Sequence, residues 1–192
     1  NLRGVYGKSG GLQFRKSWRN NKELSGGGIL LDQGVHMLDL FRYFCGDFET
    51  VKCVTGNSFW NFDVEDNAFV ILKNQKGQQA MMHSSSTMWK HSFELLITGA
   101  EGYLKIQGLL SKTGSYGRET LIIGQRQFED VATAVGNPAE EMMMFDCDQS
   151  WELEVQEFVR CIEENTSVTQ STSNDAFRVM EIIEGAYKDA TC

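Results

Sequence analysis

The stretch GGGILLDQGVHMLDLFRYFCG, residues 26–46, limits the fold more than any other part of the chain. It contains no proline, ends on Gly46 and follows Ser25, so Ile29 to Cys45 reads as a helix with an N-cap and a C-terminal stop. On a wheel turning about 100° per residue with Asp32 at the origin, Tyr43 falls at about 20°, His36 at about 40° and Asp39 at about 340°. Apart from Gln33 and Arg42, the polar groups therefore form one narrow stripe. Apolar residues cover most of the remaining surface, Leu30, Met37, Leu38 and Phe41 among them, so the helix is expected to be buried on most sides. Gly34 lies roughly opposite the stripe, where a missing side chain lets another element approach.

A buried carboxylate is costly unless paired, so the stripe must be satisfied internally or line a polar cavity. Asp32 and His36, at i and i+4, share one helix face and lie within reach of each other. A carboxylate beside an imidazole favours the charged ring and fixes its orientation, which suits a general acid or base near neutral pH. The spacing is equally compatible with a core histidine bonded to Asp32 and to backbone. Asp and His at this spacing could also be two metal ligands. A site needs three or four, however, and His83 and His91 lie in or beside strand-like runs without a carboxylate motif, so no metal is expected. The run HSSST has hydroxyls but no nucleophile elbow, which leaves no serine triad.

Six further runs alternate like strands: residues 49–59, 66–74, 78–87, 92–99, 102–108 and 119–125, separated by turn signals at Lys76-Gly77 and Ala100-Glu101-Gly102. Residues 126–148 look looser and hold the only proline, Pro138, and the run EEMMMFD, read as flexible packing or loop. Two amphipathic helices are expected to finish the chain, in SWELEVQEFVRCIEEN and SNDAFRVMEIIEGAY, capped by Ser150 and by Ser173 or Asn174. The pattern is one α+β domain: an open, predominantly antiparallel or mixed sheet of about six strands with helices on one face. Strands as apolar as AFVILK and ELLIT would leave the other face sticky, so a second copy of the chain is expected to cover it.

Charge and cysteine usage narrow the class. Residues 1–22 carry six basic side chains and no acid; the remainder has 12 basic and 26 acidic residues, hence −14, which argues against a nucleic-acid binder. The basic start suits either a solvated, partner-facing strand or a contact with an anionic group on a small ligand. Five dispersed cysteines without a CxxC pair favour a reducing, cytoplasmic setting. No run is long and apolar enough for a membrane span, and a secretory leader pattern is missing from the start.

With these residues placed, SGGGILLDQGVHMLDLFRYFCGDFETV resembles the motif that opens the second domain of the Gfo/Idh/MocA family of NAD(P)-dependent oxidoreductases. That motif is a glycine-rich turn, D-x-G-x-H-x-x-D on a helix, a glycine-containing turn and a strand; Asp32, Gly34, His36, Asp39 and Gly46 match it. Weaker similarity continues through VEDNAFVILKNQKGQ, FELLITGAEGYLKIQG and SNDAFRVMEIIEGAYKDA. RGVYGKSGGLQFRKSWR and GSYGRETL are similar to members that act on sugars. The resemblance implies a glyceraldehyde-3-phosphate dehydrogenase-like C-terminal domain over residues 1–192, with substrate-binding and oligomerisation roles. The family's Rossmann half, with its G-x-G-x-x-G turn and E-K-P lysine, has no counterpart here. NAD or NADP would be held mainly by that half, and this fragment alone is expected to be inactive.

What the resemblance implies for the site is hydride transfer between NAD(P) and a hydroxyl of a sugar or sugar derivative. His36 is expected to take the hydroxyl proton, Asp32 to orient His36 and hold substrate hydroxyls, and Asp39 to be a structural polar group paired with backbone or a base. Lys8, Lys16 and Arg19 are expected to anchor an anionic substrate group; Trp60, Trp89 and Tyr116 to stack on a sugar ring, although each aromatic also suits core or interface. Glu65 and Asp66 are expected to begin a strand in solvent. The alternative is a non-catalytic ligand-binding sensor or scaffold of the same fold.

Overall fold

The computed structural model describes residues 1–11, 14–126 and 139–190. Its scaffold is one eight-stranded sheet in the order β2-β3-β4-β1-β5-β6-β7-β8. The strands are β1 (Leu2–Gly7), β2 (Thr50–Gly56), β3 (Asn67–Lys73), β4 (Gln79–Ser85), β5 (Ser92–Thr98), β6 (Gly102–Gln107), β7 (Glu119–Gln125) and β8 (Glu140–Phe145). Every neighbouring pair is antiparallel except β1 and β4, which run parallel with Leu2 opposite Ala80 and Gly7 opposite Ser85.

Each of the six expected runs contains a strand, and the sheet gains two more. Glycines at two of six positions hide β1 from an alternation pattern, yet it occupies the middle of the sheet. β8 comes from the Glu-Met run taken for a loop; its residues lack β-branching and it pairs only as an edge. Residues 127–138 of the looser stretch, Pro138 included, lie outside the described residues.

The helices are α1 (Lys22–Ser25), α2 (Val35–Cys45), α3 (Ser150–Glu163) and α4 (Ser173–Asp189). α2 and α4 pack on one face of the sheet, where Met37, Leu38 and Phe41 meet Val70, Leu72, Met82 and Leu95, with Val179 and Ile183 beside them. The alternation of β3 explains that face: Ala68, Val70 and Leu72 are buried, whereas Phe69 and Ile71 face outward, 48% and 58% exposed. α2 sits so close to β1 that a Cβ on Gly4 would overlap Met37 and lie 2.9 Å from Cζ of Phe41. α3 keeps the expected amphipathic pattern but buries only Cys161.

The caps depart from expectation. Thr172, one residue earlier than anticipated, forms a capping box with Asp175, and Asp148 rather than Ser150 accepts the first N–H of α3. Ser25 ends α1 and does not cap the long helix. That duty falls to Glu65, whose carboxylate accepts N–H bonds from Gly28 and Leu30, each at 3.0 Å, and the Tyr187 hydroxyl at 2.9 Å. Glu65 and Asp66 therefore do not begin a strand in solvent. Asp66 is 1% exposed and accepts the N–H groups of Phe59 and Trp60, holding the loop that precedes β3.

Candidate functional site

The long helix opens with a π-turn, Leu30–Gly34, and becomes regular at Val35. Its start is fixed by Glu65 and its body by packing on Gly4, and the wider turn takes up the register between these two anchors. Gly34 lets Met82 of β4 approach; a Cβ there would lie 2.7 Å from Met82 Cε. Asp32 sits inside the π-turn and His36 just beyond it.

Asp32 is instead clamped from outside its helix. Lys8 Nζ donates to Oδ2 at 2.8 Å and Arg19 Nε to Oδ1 at 3.1 Å. Among the described residues no hydrogen bond joins Asp32 to His36. The expected bond by which Asp32 would orient the ring is thus not formed; the two oxygens are held by Lys8 and Arg19. Lys8 and Arg19, expected to anchor an anionic substrate group, are both paired with Asp32.

His36 faces solvent without a hydrogen-bond partner among the described residues, its ring 6.0 Å from that of Tyr6. Its affinity for a proton is below that of an ordinary histidine: partial burial disfavours the charged ring, Asp32 opposes that, Lys8 adds to it and Asp39 opposes it. Asp39 itself has no hydrogen bond or ion pair among the described residues, contrary to the expected structural pairing.

Across from Asp32 stands a second group of polar aromatics. Tyr6 lies two residues before Lys8 and on the same side of β1, and its ring meets Tyr116 edge-on at 5.7 Å. The Tyr116 hydroxyl donates to Gln33 Oε1 at 3.3 Å, and Gln33 in turn donates to the Asp32 carbonyl at 2.8 Å. His91 closes the corner, its ring 4.9 Å from that of Tyr116 and Nδ1 3.1 Å from the Ser9 hydroxyl. Burial comes first among the causes that push both phenols above the ordinary tyrosine range, so both stay protonated as hydrogen-bonding groups.

Of the expected residues, the fold gathers Lys8, Arg19, Asp32, His36 and Tyr116, and it leaves three aside. Lys16 is exposed and makes no ion pair among the described residues. Trp60 is used as a prop: Nε1 donates to the Ser86 carbonyl at 3.0 Å, Phe62 stacks on it and Arg15 lies over its ring. Trp89 is fully exposed and makes no ring contact among the described residues. Tyr6, Gln33, His91 and Glu65 were missed. Recognising β1 would have exposed Tyr6, since it alternates onto the face of Lys8; the others had no local signal.

Arg19 and Asp32 of the site line a small crevice with Phe14, Gly28 and Glu65. A hollow of about 560 Å³ elsewhere, between the start of β2 and the end of α4, is lined by Asp47, Phe48, Arg178 and Gly185 and holds none of these residues. The glycine run 26–28 does not suit a dinucleotide pyrophosphate. The N–H groups of Gly28 and Leu30 already point at Glu65, so a phosphate there would meet a carboxylate.

Known proteins agree with this architecture. A family model described as the GFO/IDH/MocA C-terminal domain matches residues 1–105. A stretch of 39 residues is 56% identical to D-glucoside 3-dehydrogenase of Escherichia coli, covering 20% of this chain and 11% of that enzyme. Levoglucosan dehydrogenase, solved with NADH and levoglucosan, superposes with a TM-score of 0.79 at 17% identity, over 98% of this chain and 55% of its own. Aldose-aldose oxidoreductase from Caulobacter crescentus gives 0.71 at 20% identity, over 97% and 52%. The chain thus spans about half the length of these solved structures and a smaller part of the curated relative. The helix that carries Asp32, Gly34 and His36, the sheet beneath it and the family match lead to one conclusion: this chain belongs to the GFO/IDH/MocA oxidoreductase family, as its C-terminal domain.

Proposed function

We propose that this chain forms the substrate side of an NAD(P)-dependent oxidoreductase acting on a hydroxyl of a sugar or sugar derivative. The observation that carries the reading is His36: an imidazole open to solvent, kept easily deprotonated, and flanked by hydroxyl and carboxylate groups that match a polyol. The nicotinamide, when bound, would take or give the hydride. As the C–H bond loses its hydride, the neighbouring O–H must lose its proton, and His36 would accept it. Asp32, Tyr6 and Tyr116 would hold the remaining hydroxyls. The names of the relatives support a sugar-type substrate, and the NADH in the levoglucosan dehydrogenase complex supports the cofactor class. With its glycine turn closed by Glu65, this chain leaves the grip on the dinucleotide to another domain, and alone it would not turn over.

The test uses the full-length protein, NAD(P) and a panel of pyranoses and glycosides. His36→Ala is expected to lower kcat/KM by roughly 10²–10⁴-fold; an unchanged value would refute the assignment. A ligand-binding scaffold without chemistry is the second reading, favoured by the saturation of Asp32 with two cations. Sugar binding by calorimetry with no turnover on any member of the panel would select it. The outward face of the sheet, with Val54, Phe69, Ile71 and Met81 exposed, supports assembly with a second copy, and the dispersed cysteines support a cytoplasmic setting.

A further inference from the structure

The placement of Lys8 goes one step beyond the reading of His36 as base, and rests on it. The Lys8 backbone is pinned on one side by N–H donation to the Ser85 carbonyl at 2.7 Å and by its own carbonyl accepting from Met88 at 3.1 Å. It follows β1, the strand held by β4 and β5 together, so its ammonium projects from the most constrained part of the sheet. Lys8 and Asp32 are each about a quarter exposed, whereas Arg19, the second clamp, is 47% exposed and sits on a one-turn 3₁₀ segment. Lys8 is the firmer hold. We propose that Lys8 is a positioning residue: from the end of β1 its ammonium keeps the Asp32 carboxylate turned away from His36, leaving the imidazole unpaired toward the substrate.

The groups around His36 define the expected sign. Asp32 faces it from the π-turn, Asp39 from its own helix and Lys8 from the end of β1, while Tyr6 lies against its ring with Tyr116 behind. Two of these carry negative charge and one positive. Removing the ammonium deletes the repelling charge and releases Asp32 Oδ2 toward the ring, with Oδ1 still held by Arg19. Both changes strengthen proton binding at His36, so Lys8→Met should raise its proton affinity about tenfold.

The measurement is an NMR titration of the histidines in the full-length protein, with His36 assigned from His36→Ala. A rise of the His36 midpoint in Lys8→Met, reversed in Lys8→Arg, is the expected result. Lys8→Gln, which keeps a donor but no charge, is a second variant should Lys8→Met fold poorly. An unmoved His36 midpoint in a variant that melts like the parent overturns the proposal. The acid limb of kcat/KM against pH should move upward with the midpoint. If the NMR midpoint rises and that limb stays, Lys8 positions the pair as proposed while His36 is not the base.

Discussion

Replacing Glu65 by Ala is expected to loosen the helix start that carries Asp32. The carboxylate receives three hydrogen bonds: from the N–H of Gly28, the N–H of Leu30 and the Tyr187 hydroxyl. Two of these donors are helix-terminal N–H groups with no partner inside the helix. Glu65 is half-buried, so water can reach part of what is lost, but the donor residues Gly28 and Leu30 are buried, and the low end of the range for an unsatisfied donor is a floor. At about 1 kcal/mol for each of three donors, the loss is about 3 kcal/mol. For a domain of this size that lowers Tm by roughly 6–12 °C. Thermal unfolding followed by circular dichroism measures it. Tyr187→Phe removes one of the three donors, so its effect should shrink when Glu65 is already Ala; the two changes share one interaction. A Glu65→Ala Tm within 2 °C of the parent would refute the idea that Glu65 caps the helix, as about 2 °C is the smallest effect expected from losing even one of the three bonds.

Asp175 gives a pH test. Its hydrogen bonds with Thr172, then the nearby Arg42, hold its carboxyl below the usual range in the folded state. A lowered folded value stabilises above the unfolded value, near pH of about 3.9, and that contribution is lost as pH falls through the folded value. Asp175→Asn should therefore melt below the parent at pH 7 and converge with it in strong acid; a gap as wide at low pH would count against the capping box. On the open face, Ile71→Lys is expected to shift the protein to smaller species in light scattering at micromolar concentration. A parent protein that is already monomeric there would remove the case for sheet-mediated assembly.

How far the sequence could be read depended on whether partners were local. Asp32, Gly34 and His36 stand within five residues, so their helix was visible, as were β3, with its clean alternation, and α4, with its apolar repeat. The pairing of Asp32 was not visible, because its cations come from two other segments. Glu65 looked like a solvated strand start because its donors lie 35 to 122 residues away in sequence. β1 escaped because the glycine that lets α2 settle against the sheet also spoils its strand pattern. Trp60 and Trp89 were named for their chemistry alone, and chemistry does not say which faces a neighbour already covers.

The place of β1 has a consequence for how the molecule is made. Its first residue pairs with Ala80 on one side and Ile97 on the other, so β1 finds both its partners only across long separations in sequence. Two blocks, β2-β3-β4 and β5-β6-β7, can zip locally as meanders, but nothing joins them until β1 slides between. The ordering of Lys8, Tyr6 and the clamp on Asp32 waits for that closure. Assembly of the site therefore depends on the long-range strand pairings at the centre of the sheet.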